Sequence, residues 1–235
     1  VVRRLSLMAD TLSHVALVGI AIGLLININP IISAVVITVI AAVAIEKLRT
    51  SKSIFGESAL ALFLSGSLAL ATVLISMAQG FNANLMSYLF GSITTITQLD
   101  LILIASIGLI VILTIILIYK ELFTVSFDEE LAAASGVKPS IYNTILILLA
   151  AVTVAMAMRI VGVLLVGALM VIPVITAMKF STSFHQTIKI SILLSFIAVI
   201  LGLILSYYFN LASGGTIVLT SLSFFVISLL FGRRN

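Results

Sequence analysis

The chain of 235 residues has no cysteine, no tryptophan, three prolines and eight acidic residues against twelve lysines and arginines. Without cysteine there are no disulfides, no thiolate metal ligands and no iron–sulfur clusters. Without tryptophan, anchoring at a membrane–water interface falls to tyrosine and phenylalanine. Charged residues make up 9% of the sequence, whereas soluble domains carry about 25%. Such a chain cannot coat a water-facing surface. That excludes a cytosolic enzyme, a secreted domain and a nucleic-acid-binding module, even at a sequence pI near 9.6. Neither a G-x-x-x-x-G-K-[ST] phosphate loop nor an H-E-x-x-H zinc motif occurs, so the sequence carries no nucleotide-driven engine or hydrolytic centre of those kinds.

What is present is apolar: 62% of residues are hydrophobic and the mean hydropathy is +1.39. A helix needs about 20 apolar residues to cross a bilayer core of about 30 Å. Runs of that kind fall at 11–28, 31–45, 57–78, 100–119, 141–158, 160–178, 189–208 and 216–231. They are continuous rather than alternating, which disfavours a β-barrel. The expectation is an all-α, polytopic transmembrane bundle of about eight spans, one domain over residues 1–235 with no connection long enough for a soluble catalytic domain. Val1-Val2 running into Arg3-Arg4 is expected to be the end of an upstream helix.

Arg3, Arg4, Lys47, Arg49, Lys52, Lys120, Lys138, Lys179, Lys189, Arg233 and Arg234 fall on one side if the spans alternate; that side is expected to be cytoplasmic. Arg159 is the exception and is expected to snorkel to the outer headgroups. Glu57 is expected to be a helix-start acid, and Asp100 to cap the fourth span. Gly80–Asn84 reads as an outer turn and 85–96 as a surface or re-entrant helix.

Polar groups within hydrocarbon are costly and mark function by default. Asp10 and His14 are four residues apart, on one helical face, with Ser13 expected to join them. A rise of about 1.5 Å per residue places His14 about 15 Å into the membrane. A carboxylate with an imidazole suits zinc, manganese or ferrous iron. On these residues alone, a helix cap with a paired histidine and a proton relay stay open. The second segment is 126–138. Phe127, Asp128, Glu129 and Glu130 lead a short helix that Ser126 or Asp128 can cap and that Ser135-Gly136 ends. It reads as an exposed docking element for a soluble partner. His185 reads as a solvated loop residue. Gly19-x-x-x-Gly23 permits close helix approach, and Pro173 is expected to kink its span.

The residues resemble the permease subunits of metal-ion (zinc, manganese, iron) ATP-binding-cassette importers, the zinc permeases above all. The resemblance is carried by Arg3-Arg4-Leu5-Ser6 with Asp10-Thr11-Leu12-Ser13-His14 and Gly19. It continues through Phe127–Ala132 with Ser135-Gly136-Val137, through Val161–Leu165 with Pro173, and through Ser206-Tyr207-Tyr208 with Asn210. Ala9 and Val18 depart from a glycine and a proline frequent in that family. The resemblance implies a homodimer in the bacterial plasma membrane, with its pathway on the two-fold axis and no covalent cofactor. It implies a cytoplasmic ATPase dimer as the separate site of ATP hydrolysis, and an extracellular metal-binding lipoprotein or periplasmic protein. Asp10 and His14 would hold the transported divalent ion, zinc first, and Phe127, Asp128, Glu129, Glu130, Ser135 and Gly136 would couple the ATPase. Gly19, Gly23 and Pro173 would serve packing and gating. An ion-gradient-coupled carrier and a non-transporting membrane scaffold are the rival readings of the sequence.

Overall fold

The computed structural model describes residues 6–50, 55–77, 88–91 and 96–231. The sequence-based readings for Arg3, Arg4, Lys52, Gly80–Asn84, Arg233, Arg234 and most of 85–96 lie outside the described residues. Within them the chain is helical, without strands. Helix α1 is Ser6–Leu25, α2 Pro30–Thr50, α3 Gly56–Met77 and α4 Gln98–Leu117. Two short helices follow, α5 Tyr119–Phe127 and α6 Glu129–Ala134, then α7 Pro139–Val161, α8 Val163–Met178, α9 Phe184–Phe209 and α10 Ser213–Phe231.

Seven of these are long and apolar enough to cross a membrane, by length and composition, and α8 is a shorter apolar helix of 16 residues. At 1.5 Å per residue α8 covers about 24 Å, less than a full hydrocarbon core. The expected break within 141–178 falls at Gly162, whose φ of +93° favours glycine. Gly162 N–H still closes α7 onto the Met158 carbonyl at 2.8 Å. The span expected at 11–28 already includes Ser6, so Asp10 and His14 lie within the helix and do not cap it. Beyond the fourth run, sharing only Tyr119 with it, stands a separate helix, α5, which the hydropathy reading missed because 119–127 mixes Tyr119, Lys120, Glu121 and Thr124 with its phenylalanines.

Helix α1 is the centre of the packing. It touches α2, α3, α7 and α8, and 72% of its spanning window is buried. The core is built around Met8, Leu12, Ala16 and Ile20 of α1, with Ile147, Ala151, Val154 and Met158 of α7. Their spacing of three or four residues is the helical period. Helices α8, α9 and α10 pack on one another. Helix α4 lies apart; 6% of its spanning window is buried, and Leu101, Ile102, Leu109 and Ile116 point outward. In water such a surface would aggregate; in a bilayer lipid covers it.

Candidate functional site

From Met8 to Ala21 every residue of α1 is buried except two, Asp10 and His14. Leu7, one turn before Asp10, is also exposed. The one open stripe of the central helix therefore carries the acid and the imidazole. The Asp10 side chain is 44% exposed and that of His14 14%. His14 Nε2 lies 3.9 Å from Asp10 Oδ1, beyond hydrogen-bonding range, so the two face a common point without satisfying one another. His14 Nδ1 is buried with no hydrogen-bond partner. Ser13 does not join this face: it is fully buried, and its hydroxyl donates to the Asp10 carbonyl at 2.7 Å. Thr11 is buried too, donating to the Leu7 carbonyl at 2.9 Å. Opposite Asp10, α8 passes at Gly167.

Two ligand atoms sharing one zinc ion at about 2.0–2.1 Å, in tetrahedral array, are about 3.3 Å apart. The observed 3.9 Å closes to that with a small rotation of either side chain. No group of three or more His, Cys, Asp or Glu that could hold a metal occurs among the described residues. Among the described residues, Asp10 and His14 thus bring together two donors, half the number in a tetrahedral shell.

The segment 126–138 forms at the end of the bundle that carries Lys120 and Lys138. Asp128 is the cap: its Oδ1 accepts from Glu130 N–H at 2.9 Å and Leu131 N–H at 3.0 Å. Glu129 and Glu130 load the positive end of α6. At the other end Gly136, at φ +83°, lets Val137 N–H return to the Ala132 carbonyl at 3.0 Å and its own N–H to Ala133 at 3.1 Å, a Schellman closure. Glu129 Oε1 accepts from Asn143 Nδ2 of α7 at 3.2 Å, tying the turn to a long helix. Phe127 is 65% exposed.

Phe127 also belongs to a ring cluster. Phe123 and Phe127 lie 4.9 Å apart, and Phe184 of α9 stands edge-on to Phe123 at 5.2 Å and to Phe127 at 5.8 Å. Tyr119 OH is 3.3 Å from His185 Nδ1. His185, expected in a loop, sits in the first turn of α9 and is exposed. Sequence reasoning missed this link, although Tyr119, Phe123 and Phe127 recur every four residues on one face.

Arg159 does not snorkel. Its Nη2 pairs with Asp100 Oδ2 at 2.9 Å, with side chains 15% and 5% exposed. Its Nη1 donates to Tyr88 OH, and its guanidinium stacks over the Tyr88 ring. Asp100 is not the cap of α4; Thr97 is, and Asp100 completes the capping box by accepting from Thr97 N–H at 3.0 Å. Burial pushes the Tyr88 hydroxyl above the usual range, opposed by the Arg159 charge and supported by that of Asp100. This cluster binds the helical residues 88–90, α4 and α7 at the end opposite segment 126–138.

Gly19 and Gly23 face α2: a Cβ on Gly19 would fall 2.5 Å from Ala34 Cα, and one on Gly23 would fall 3.0 Å from Pro30 Cα. Pro173 is buried within α8 and cannot donate to the Leu169 carbonyl.

The chain as a whole is similar to known membrane proteins. The profile of the ABC 3 transport family matches residues 1–232. The chain is 35% identical over 233 residues to the high-affinity zinc uptake system membrane protein ZnuB of Haemophilus influenzae, covering 99% of this chain and 89% of that one. It is also 35% identical over 235 residues to the manganese import system permease protein ScaB of Streptococcus gordonii, covering 100% and 84%. The solved structure of PsaBC from Streptococcus pneumoniae in complex with Fab superposes with a TM-score of 0.86 at 34% identity, over 97% of this chain and 82% of that chain. The chain is a multi-pass membrane protein and belongs to the ABC 3 transport family.

Proposed function

We propose that this chain is the membrane subunit through which an ATP-driven importer passes a divalent transition-metal ion into a bacterial cell across the plasma membrane. The observation that carries the reading is the open stripe of α1, where Asp10 and His14 are the sole uncovered residues between Met8 and Ala21. An acid and an imidazole left uncovered on the most buried helix of a membrane bundle suit transient cation binding. Two copies on a two-fold axis bring four such ligands to one point, enough for a tetrahedral shell. The coupling segment 126–138 receives a cytoplasmic ATPase dimer, where hydrolysis takes place, and an extracellular metal-binding lipoprotein or periplasmic protein delivers the ion. Zinc is the metal we put first and manganese its rival; relatives named for each match equally well, at 35% identity.

The test is uptake of zinc and of manganese by cells whose own permease is replaced by this chain, supplied with its ATPase and binding protein. Asp10→Ala and His14→Ala are each expected to bring uptake down to the level of cells lacking the permease, with membrane abundance unchanged. Normal uptake by both variants would overturn the site assignment. Preferred uptake of manganese over zinc would overturn the order of the metals.

A further inference from the structure

The Asp10 carboxylate has a neighbour on another helix that nothing above assigns a role. Gly167 is buried in α8. A Cβ built there would lie 3.3 Å from Asp10 Cβ, 3.3 Å from Asp10 Oδ1 and 3.4 Å from Asp10 Cα, and its three nearest atoms all belong to Asp10. Carbon contacts are relaxed at about 3.5–4.0 Å. A methyl group at 167 would therefore press first on Asp10, and on the same oxygen that faces His14 Nε2 at 3.9 Å.

Other glycines do not show this pattern. A Cβ on Gly19 or Gly202 meets the backbone of a neighbouring helix, Ala34 or Ile217. Those glycines set helix spacing. A Cβ on Gly108 or Gly66 meets nothing within 4 Å. Gly167 alone among these has its missing side chain replaced by a candidate ligand. The Asp10 side chain is 44% exposed, so on the side away from Gly167 it has room to yield.

We infer that Gly167 is a specificity-determining position: the space it leaves fixes where the Asp10 carboxylate stands relative to His14, and so the size and geometry of the ion the pair accepts. Resting on the metal-transport reading, this assigns the second wall of the site to α8. A single methyl changes the distance between two ligands by a few tenths of an ångström. That is comparable to the difference in bond length between ions held at about 2.0–2.1 Å and larger ones. One methylene's worth of misfit in a shaped site is worth about 10-fold or more in discrimination.

The experiment measures radiolabelled zinc and manganese binding to the permease–ATPase assembly in nanodiscs, without the external binding protein. Gly167→Ala is expected to weaken binding of at least one of the two ions about 10-fold and to change the ratio of zinc to manganese affinity. Gly108→Ala is expected to match the unaltered chain. A position needed only for folding would lower the amount of assembly recovered and leave the ratio per folded assembly untouched. Unchanged affinities and ratio in Gly167→Ala, with binding abolished in Asp10→Ala, would overturn the role of Gly167 and leave the transport site standing. Unchanged binding in Asp10→Ala would bring both down. Should Gly167→Ala fail to accumulate, the pair Gly167→Ala with Asp10→Gly decides. Recovery of assembly shows that the methyl meets Asp10, and failure to recover overturns the inference.

Discussion

Arg159 and Asp100 show what one residue costs inside such a bundle. Each is charged, each is nearly enclosed, and they are 2.9 Å apart with Tyr88 as a third partner. Desolvating two ions is expensive, and their attraction offsets it only while both are present. Removing one leaves a buried charge without its counterpart. Arg159→Met or Asp100→Leu alone is therefore expected to destabilise the protein by about 3–5 kcal/mol. The double replacement is expected to restore most of that loss, because apolar groups of similar volume fill the space. Thermal unfolding of the purified protein in detergent, run as a double-mutant cycle, checks it; additive losses would show that the two side chains do not depend on each other. Neither partner was legible beyond its own helix end. Arg159 reads as a snorkelling residue and Asp100 as a cap because 59 positions separate them, and pairing over that distance is a product of the fold. Asp10 and His14 were legible, since a spacing of four places them on one face by helix geometry alone.

At the scale of elements, the hydrophobic runs were legible to within a few residues because nothing else competes for apolar segments of that length. Boundaries were less so. The start of α1 runs ahead of the apolar stretch: the helix includes Ser6 and Asp10, polar residues that a hydropathy reading leaves out of a span. Helix α5 was illegible as a helix of its own, since its apolar face is a row of rings whose partner across the fold is Phe184 of α9. That contact joins two elements far apart in the chain. Phe184 touches both Phe123 and Phe127, and each such ring pair is worth about 0.5–1.5 kcal/mol beyond its buried area. If 126–138 couples the ATPase as proposed, its motion would have two ways into the bundle, through Glu129 to Asn143 of α7 and through the rings to α9. Phe184→Ala is expected to raise the number of ATP molecules hydrolysed per ion moved at least about twofold, since an interaction of that size is worth a few-fold in equilibrium. The permease should still accumulate normally in the membrane. Reconstituted vesicles with ATPase and binding protein measure both quantities. An unchanged ratio would remove α9 from the coupling path.

For the molecule as a whole, the arithmetic of ligands bears on how many chains act together. One chain supplies one carboxylate and one imidazole on the open stripe of α1, and no third His, Cys, Asp or Glu gathers with them among the described residues. Zinc is held by four ligands in closed sites and by three with an open position in reactive ones. On the proposed reading, two chains related by a two-fold axis would make one complete site rather than two partial ones. Stoichiometry distinguishes these arrangements without reference to transport. Purified assembly saturated with zinc and then freed of excess metal is expected to retain one ion per two permease chains, and His14→Ala to retain none. Elemental analysis against quantified protein, or native mass spectrometry, gives the count directly. One ion per chain would mean that each α1 stripe completes its shell within its own protomer, from carbonyls or water. The pathway would then run through each subunit rather than between them.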